Sequence, residues 1–275
     1  MATSNQQPAT SNQQPATSNQ NMKKHPKITL VGAGPGDPEL ITVKGLKALQ
    51  SADVVIYDAL SNPALLAEAP AHAEKVYVGK RANNHRYRQE EINLMLVQYA
   101  YSHGHVVRLK GGDPFIFGRG HEELTYIDNF GIETAIVPGI SSCYAVPELQ
   151  QVPLARRGIN ESFWVITGTT SDGSISKDIA LAARSSATVV ILMGMKKLPE
   201  ITRLFKKAGK SNISVLVIQN GSMPNERKVL GTIDTIQAEV QQAGLGAPAI
   251  IVIGEVVDLH PEKVEEFEQI LNQYG

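Results

Sequence analysis

From Lys27 onward, short apolar runs alternate with amphipathic stretches, and no other feature of the sequence constrains the fold as strongly. Runs of four to seven residues rich in Val and Ile are typical of buried strands. Between them lie helical patterns, such as the one over 90–101, where Ile92, Leu96 and Tyr99 fall on one face. The predicted strands are 28–31, 54–57, 75–78, 106–109, 134–137, 163–167, 187–193, 214–219, 229–232 and 249–253. This alternation predicts an α/β protein.

The chain is long enough for one large or two modest domains, since it has 275 residues. A Pro-containing stretch from about 148 to 161 has no strand pattern and separates two groups of predicted strands. We therefore predict two α/β domains, over 27–148 and 149–260, followed by a C-terminal helix over 261–275. A cleft between two such domains is a usual place for a ligand.

The N-terminal 26 residues contain a repeated heptapeptide, ATSNQQP, at 2–8 and again at 9–15. The first 21 residues have no Leu, Ile, Val or Phe, so they cannot bury enough apolar surface to offset the entropy lost on ordering. We predict a disordered low-complexity tail over 1–26. This tail has neither the apolar middle of a secretory signal nor the arginines of a mitochondrial presequence.

The charges of the chain nearly balance, since 26 Lys and Arg face 27 Asp and Glu. The net charge of −1 gives no overall basic field, so we expect neither a nucleic acid nor a membrane as a partner. Cys143 is the single cysteine, which favours a reducing compartment, the cytoplasm. The longest apolar runs fall short of the roughly 18 residues that span a bilayer. His103 and His105 have no third ligand at a recognisable spacing, so we expect no metal.

Three glycine-containing loops follow predicted strands and are the strongest local sign of a ligand site. The first, over 32–36, reads GAGPG and follows the strand over 28–31. Glycine lets the backbone approach a ligand closely and adopt positive φ, which suits a nucleotide-like cofactor at a strand end. Asp37 stands where the dinucleotide fingerprint GxGxxG has its last glycine, and no GK[ST] of a Walker loop follows.

The second loop, over 111–120, reads GGDPFIFGRG and follows the strand over 106–109. Its apolar residues 115–117 stand between glycines and near the carboxylate of Asp113. This combination suits a flat, partly polar ligand such as adenosine. In an ordinary turn, Asp113 would instead cap the next helix.

The third loop, over 137–142, reads VPGISS and offers two hydroxyls, of which Ser141 is also a candidate helix cap. Three such loops at strand ends are more than turns usually require. The loops alone leave two further classes of function open, a nucleotide-binding oxidoreductase and a non-catalytic nucleotide sensor. The missing sixth glycine of the fingerprint counts against the oxidoreductase.

Longer blocks of sequence carry a resemblance to a known family. These are 32–58, VGKR at 78–81, RLKGGDPFIFGRGHEEL at 108–124, VPGISS at 137–142, MG at 193–194 and NGS at 220–222. Together they resemble the tetrapyrrole methylase family over roughly 27–258. The resemblance implies two α/β domains of the tetrapyrrole methylase type, with the active site in the interdomain cleft, and a homodimer.

The same resemblance implies a reaction. It implies S-adenosylmethionine as methyl donor, without a metal, and methylation of uroporphyrinogen III at C2 and C7. The product would be precorrin-2, the branch point toward sirohaem and cobalamin. A sibling enzyme that methylates another precorrin is the alternative within the family.

Site residues follow from the resemblance where the motifs match. The implied acid–base pair is Asp58 and Lys80, at the ends of the second and third predicted strands. A carboxylate there would accept the proton that the methylated macrocycle loses. The implied cofactor contacts are Pro35, Gly111, Gly112, Asp113, Ile116, Ser141, Ser142, Met193 and Gly221.

Uroporphyrinogen carries eight carboxylates, so its site needs local cations even in a nearly neutral protein. Arginine suits carboxylates because its planar fork binds them in a bidentate manner. We predict substrate contacts at Arg81, Arg119 and Arg156, and Arg108 and Lys110 are further cations beside the second loop. The family usually has Thr-His-Arg where this chain has Ala-Arg-Arg at 155–157, which affects the surroundings of Arg156.

Overall fold

The computed structural model describes residues 25–79, 87–265 and 269. Its strands form two five-stranded sheets, and helices connect most of them. All ten predicted strands are present, four with the predicted bounds and the others displaced by one or two residues at either end. The predicted α/β class is therefore confirmed.

The first sheet is parallel throughout and has the strand order β3-β2-β4-β1-β5. Its strands are β1 (Lys27–Gly32), β2 (Val54–Tyr57), β3 (Glu74–Tyr77), β4 (His105–Lys110) and β5 (Glu133–Val137). β1 pairs with β4 on one side and with β5 on the other. The carboxyl ends of these three strands are therefore neighbours, and so are the loops that follow them.

The second sheet is mixed and has the strand order β6-β7-β10-β8-β9. Its strands are β6 (Phe163–Thr167), β7 (Thr188–Leu192), β8 (Ser214–Gln219), β9 (Arg227–Thr232) and β10 (Ala249–Ile253). β6 and β7 are parallel, whereas β10 runs antiparallel to β7 and β8, and β8 and β9 form an antiparallel pair.

Helices occupy most of the connections. The α-helices are α1 (Val43–Gln50), α2 (Gln89–His103), α3 (Gly120–Ile127), α4 (Ser142–Leu149), α5 (Asp178–Ala182), α6 (Leu198–Lys207) and α7 (Ile236–Ala243). Short 3-10 helices are Pro38–Leu40, Pro63–Glu68, Asp128–Phe130, Met195–Lys197 and Glu255–Leu259. The predicted helix over 90–101 corresponds to α2, and the predicted C-terminal helix begins over 261–265.

Burial explains why these segments form a sheet covered on both sides. The central strands β1 and β4 are buried over most of their length, and their apolar runs suit a parallel sheet with helices on its faces. α2 packs Ile92, Leu96 and Ala100 against one of these faces. The Thr42 hydroxyl caps α1 by accepting from Gly45 N, so the chain leaves the first loop in a fixed direction.

Some predictions about the organisation of the chain are not tested by these elements. No strand or α-helix lies between α4 and β6, where the boundary near 148–161 was placed, but the domain boundaries themselves stay a prediction. Residues 1–24 of the predicted tail lie outside the described residues. Among the described helices, none combines the length and apolarity that crossing a membrane requires.

Candidate active site

The three glycine-containing loops meet at the carboxyl ends of β1, β4 and β5. Gly112 N donates to Gly34 O at 2.7 Å, and Gly34 N donates to Gly112 O at 3.3 Å. A Cβ placed on Gly32 would stand 2.4 Å from the Cα of Gly139, and one on Gly139 would stand 2.3 Å from Gly112 O. Only glycine allows the three backbones to approach this closely.

Asp113 ties the second loop to the third. Its Oδ1 accepts from Phe115 N at 2.8 Å and from Ile116 N at 3.3 Å, while its Oδ2 accepts from Gly139 N at 3.0 Å. Asp113 does not cap the next helix, as it would in an ordinary turn, because that helix, α3, begins only at Gly120. The carboxylate instead closes its own loop and holds the neighbouring one.

Beside this contact lies open space next to the backbone. Gly112 has a φ of +65°, and only Ser142 N, at 4.0 Å, lies near the place where its Cβ would stand. Ser142 is the first residue of α4, so its backbone N–H lies beside this space, whereas the next N–H, of Cys143, bonds to Ser141 Oγ. Ile116 adds an apolar side chain that is 44% exposed. Free backbone groups beside an apolar surface fit a ligand with an adenosine part.

The two serines of the third loop differ in their availability. Ser141 is buried and caps α4, since its Oγ accepts from Cys143 N at 3.4 Å and donates to Cys143 Sγ at 3.1 Å. Ser142 is partly exposed and its Oγ has no hydrogen-bond partner among the described residues. The alternative role for Ser141 as a helix cap is therefore confirmed, and Ser142 has the freer hydroxyl.

Two candidate residues come from loops of the second sheet, and one of them, Gly221, lies beside the first glycine loop. A Cβ on Gly221 would stand 2.4 Å from the Val146 side chain of α4, so the loop after β8 packs directly on that helix. The next residue, Ser222, accepts from Asp37 N at 3.0 Å, two residues beyond Pro35. Gly221 and Pro35 thus belong to loops in direct contact.

Met193 lies at the end of β7 in a left-handed conformation, with a φ of +55°. Its side chain is 52% exposed, and its carbonyl accepts from Thr169 Oγ1 at 2.9 Å. Strained non-glycine conformations of this kind concentrate at ligand sites. The contact with Thr169 belongs to the second sheet, so it does not by itself join Met193 to the glycine loops.

Asp58 directly follows β2 and lines a pocket of about 610 Å³. Its Oδ1 accepts from Leu60 N at 3.1 Å, and its Oδ2 accepts from the Arg108 guanidinium at 3.2 Å. Arg119 lines the same pocket, so the structure brings these two predicted site residues together. The pocket is lined by Asp58, Ala59, Leu60, Val78, Gly79, Tyr87, Arg88, Gln89, Ile92 and Arg119.

Three further predicted site residues are not among the described residues that line the pocket. Lys80 and Arg81 are outside the described residues, although the adjacent Gly79 lines the pocket. Arg156 is exposed and is not part of the pocket lining. Sequence reasoning did not select Gln89 as a site residue, and no motif distinguishes it from an ordinary residue at the start of a helix.

The Arg119 guanidinium forms a bidentate pair with Glu122. This pairing raises the pKa of Arg119 and lowers the pKa of Glu122. Arg119 itself has a φ of +60° at the start of α3. The Arg119 side chain therefore extends to the pocket from a backbone in the left-handed conformation.

Arg108 and Lys110, the two further cations beside the second loop, are not available to a substrate. Both side chains are buried, where Glu123 Oε1 accepts from Arg108 Nε at 3.3 Å and from Lys110 Nζ at 2.9 Å. Burial lowers the pKa of Lys110, and the nearby Arg108 charge adds to this shift while Glu123 opposes it. The two cations compensate Glu123 and Asp58 inside the protein and leave no charge free for a substrate.

Comparisons with known proteins show the family of the chain. A family model described as Tetrapyrrole (Corrin/Porphyrin) Methylases matches residues 27–237. Uroporphyrinogen-III C-methyltransferase of Methanocaldococcus jannaschii is 44% identical over 235 residues, which are 85% of this chain and 97% of that protein. Siroheme synthase of Methylobacillus flagellatus is 42% identical over 244 residues, which are 88% of this chain but only 52% of that longer protein.

A solved structure shows the same fold. The uroporphyrin-III C-methyltransferase of Thermus thermophilus, in complex with S-adenosylhomocysteine, superposes with a TM-score of 0.73 at 37% identity, over 85% of this chain and 99% of that one. The family model covers well over half of the chain, from the first strand into α7. By sequence and by fold, the chain belongs to the tetrapyrrole (corrin/porphyrin) methylases.

Proposed function

We propose that the chain transfers methyl groups from S-adenosylmethionine to C2 and C7 of uroporphyrinogen III and so makes precorrin-2, for sirohaem or cobalamin. The observation that carries this proposal is the contact of three glycine loops, which leaves open space beside Gly112 and the start of α4. The names of its relatives, one of them in complex with S-adenosylhomocysteine, support the same donor and acceptor.

The cofactor site that we propose combines the glycine loops of the first sheet with two residues from the second. S-adenosylmethionine supplies the methyl group of its sulfonium, and the thioether that remains is S-adenosylhomocysteine. The protein positions the donor through backbone groups and the apolar Ile116, and Asp113 acts by holding the loops together. The proposed contacts are Pro35, Gly111, Gly112, Asp113, Ile116, Ser141, Ser142, Met193 and Gly221.

Asp58 is the proposed base. In each transfer a pyrrole carbon forms a bond to the methyl carbon while the sulfur–methyl bond breaks, and the macrocycle then loses a proton. The Asp58 carboxylate lies at the pocket, where Leu60 N and Arg108 fix its orientation, so it is placed to accept that proton. Lys80 is the proposed proton donor.

Substrate carboxylates need cations at the pocket. Arg119 lines it, and Arg88 at the start of α2 adds a second cation. We propose Arg81 and Arg156 as further substrate contacts. In our proposal the enzyme works without a metal, as a homodimer in the cytoplasm, and the domains divide near residues 148–160.

The test is an anaerobic incubation of the full chain with uroporphyrinogen III and S-adenosylmethionine, followed by mass spectrometry of the product. We expect two added methyl groups. We expect Asp58→Asn to bind S-adenosylhomocysteine with unchanged affinity but to lose turnover, because the amide cannot accept the proton. Turnover of Asp58→Asn at the wild-type rate would remove Asp58 from the mechanism.

Other outcomes of the same test separate the alternatives. No methylation of uroporphyrinogen III, with methylation of another precorrin, would identify a sibling enzyme. Binding of NAD in place of S-adenosylmethionine would favour an oxidoreductase. Binding of S-adenosylmethionine without any turnover would favour a sensor.

A further inference from the structure

Glu226 connects the end of α4 to the loop after β8, beside the proposed cofactor loops. It stands just before β9, and its Oε1 accepts from Gln150 Nε2 at 2.6 Å. Gln150 is buried at the end of α4, which packs against the second sheet. The other carboxylate oxygen, Oε2, accepts from the backbone N–H of Ser222 at 2.8 Å. Both oxygens of Glu226 are therefore used, one at the end of α4 and one in the loop after β8.

The residue that Glu226 holds has a strained backbone. Ser222 has a φ of +68° and Asn220 a φ of +52°, although neither is glycine. Non-glycine residues keep such conformations only where surrounding contacts determine them. The bond from Ser222 N to Glu226 supplies such a contact.

Ser222 in turn holds the first glycine loop. Its Oγ accepts from Asp37 N at 3.0 Å. A Cβ on Gly36 would stand 2.9 Å from Ser222 Oγ and from Met223 Cγ, so the two loops pack without a gap. Asn62 Nδ2 donates to the Gly36 carbonyl at 2.7 Å and also contacts Met223 Sδ at 3.7 Å. Hydrogen bonds thus run without interruption from Gln150 through Glu226 and Ser222 to the first loop.

Two proposed cofactor contacts lie along this path. Gly221 is adjacent to Ser222, and Pro35 lies two residues before Asp37. The separation of Gly221 and Pro35 is therefore set by a bond that depends on the orientation of Ser222. A loop displaced by even a fraction of a hydrogen-bond length would misplace one of the two contacts relative to the other.

We propose that Glu226 is a positioning residue for the methyl donor, which fixes Gly221 against Pro35 by holding Ser222. This inference rests on the proposed function. Glu226 touches neither reacting group and acts through two hydrogen-bond acceptors. The role needs an acceptor at this position and no negative charge, because its two partners are an amide N–H₂ and a backbone N–H.

The test is the affinity for S-adenosylhomocysteine, measured by calorimetry on the full chain. We expect Glu226→Ala to weaken binding by about tenfold or more, the factor that follows from losing a pair of well-placed acceptors. We expect Glu226→Gln to stay within about threefold of wild type, because its oxygen still accepts from Ser222 N and Gln150 can turn its amide to pair with the new N–H₂. Glu148→Ala on α4 is the matched control, since it removes an exposed carboxylate two residues from Gln150 and should bind as wild type.

A second variant separates positioning from loss of fold. Ser222→Ala keeps the N–H for Glu226 but removes the acceptor for Asp37, so it should weaken binding as well. The double variant Ser222→Ala/Glu226→Ala should bind no more weakly than Glu226→Ala, because both act on the same bond to the first loop. In turnover, Glu226→Ala should raise KM for S-adenosylmethionine and leave kcat near the wild-type value.

Each contrary result has one meaning. Wild-type affinity in Glu226→Ala, or equal losses in Glu226→Gln and Glu226→Ala, would overturn the positioning role. Additive losses in the double variant would also overturn it. If the wild-type chain itself binds no S-adenosylhomocysteine, the proposed function fails, and the inference fails with it.

Discussion

Asp113 gives three backbone N–H groups their acceptor with a single carboxylate. Two of the donors, at Phe115 and Ile116, lie in its own loop, and the third, at Gly139, lies in the neighbouring loop. We expect Asp113→Ala to weaken binding of S-adenosylhomocysteine by about tenfold, a loss of about 1–3 kcal/mol for N–H groups left without acceptors. Calorimetric titration measures this loss directly.

The amide variant makes the test for Asp113 specific. Asparagine has one acceptor oxygen, whereas the donors of Asp113 approach from two directions. Asp113→Asn should therefore keep the bonds within its own loop but lose the one to Gly139, and its affinity should fall between those of wild type and Asp113→Ala. An affinity equal to wild type for both variants would contradict this account.

Some residues at the pocket can be predicted from the sequence, whereas the environment of others cannot. Asp58 and Arg119 were predicted as site residues, and the structure places both at one pocket. The sequence left open whether Arg108 and Lys110 face a substrate, because their burial depends on Glu123, which is more than ten residues away along the chain. The pattern within one strand does not reveal such a partner. Two cations inside an apolar strand do indicate, however, that a carboxylate must pair with them in the folded protein.

Among the secondary-structure elements, β4 and α3 share one buried ionic network. Glu123 of α3 is completely buried and accepts from Arg108 and Lys110 of β4. Removal of one member of a buried pair leaves a charge without compensation, which typically costs about 3–5 kcal/mol. We expect Glu123→Gln to lower the free energy of unfolding in urea by about this amount.

The neighbouring carboxylate on the same helix provides the control. Glu122 pairs with Arg119, and both side chains are more than half exposed, at 56% and 52%. Exposed pairs contribute only about 0–1 kcal/mol, so Glu122→Gln should unfold at nearly the wild-type urea concentration. Equal destabilisation by Glu122→Gln and Glu123→Gln would contradict a role for burial.

The pH dependence of the same variant follows from Lys110. Burial holds the pKa of Lys110 below its usual value of 10.5, and Glu123 is one of the groups that oppose this shift. Without Glu123, the folded protein releases the Lys110 proton at lower pH than the unfolded chain does. Because the unfolded chain then binds more protons, the free energy of unfolding of Glu123→Gln rises with pH through this range. We therefore expect the difference in this free energy between Glu123→Gln and wild type to become smaller as the solution becomes alkaline.

Most strands were predictable because each reads as an apolar run of the expected length. The start of β9 is predicted least accurately, since the strand begins at Arg227, two residues before the predicted start at 229. Arg227 is charged, but it pairs with Gln219 of β8. Here the hydrogen bonds of the neighbouring strand extend the element beyond its apolar part. The apolar pattern over 233–243 likewise predicts a helix, but α7 begins only at Ile236.

The proposed cofactor site depends on an arrangement of strands that exists only in the folded molecule. The three glycine loops meet because β1 lies between β4 and β5, although these strands are far apart in sequence. The sequence placed each loop after a strand but carried no information on the strand order. The resemblance to the family implied that all three loops contact one cofactor, which the periodicity of the sequence does not show.

The position of β1 also decides what can be removed from the N-terminus. β1 begins at Lys27, whose backbone N donates to Gly104 O and whose side chain pairs with Glu133. The family model likewise begins at residue 27. Residues 1–24 contain no Leu, Ile, Val or Phe, so their contribution to a core would be negligible.

We therefore expect deletion of residues 1–24 to leave Tm within about 1 °C of wild type, since a change of 1 kcal/mol would shift it by about 2–4 °C in a chain of this size. The rate of uroporphyrinogen III methylation should be unchanged as well. Deletion of residues 1–30 is the matched comparison, because it removes most of β1 from between β4 and β5 and should abolish cooperative melting. A drop of several degrees in the shorter deletion would show that the repeats at 2–15 stabilise the folded chain, contrary to what their composition predicts.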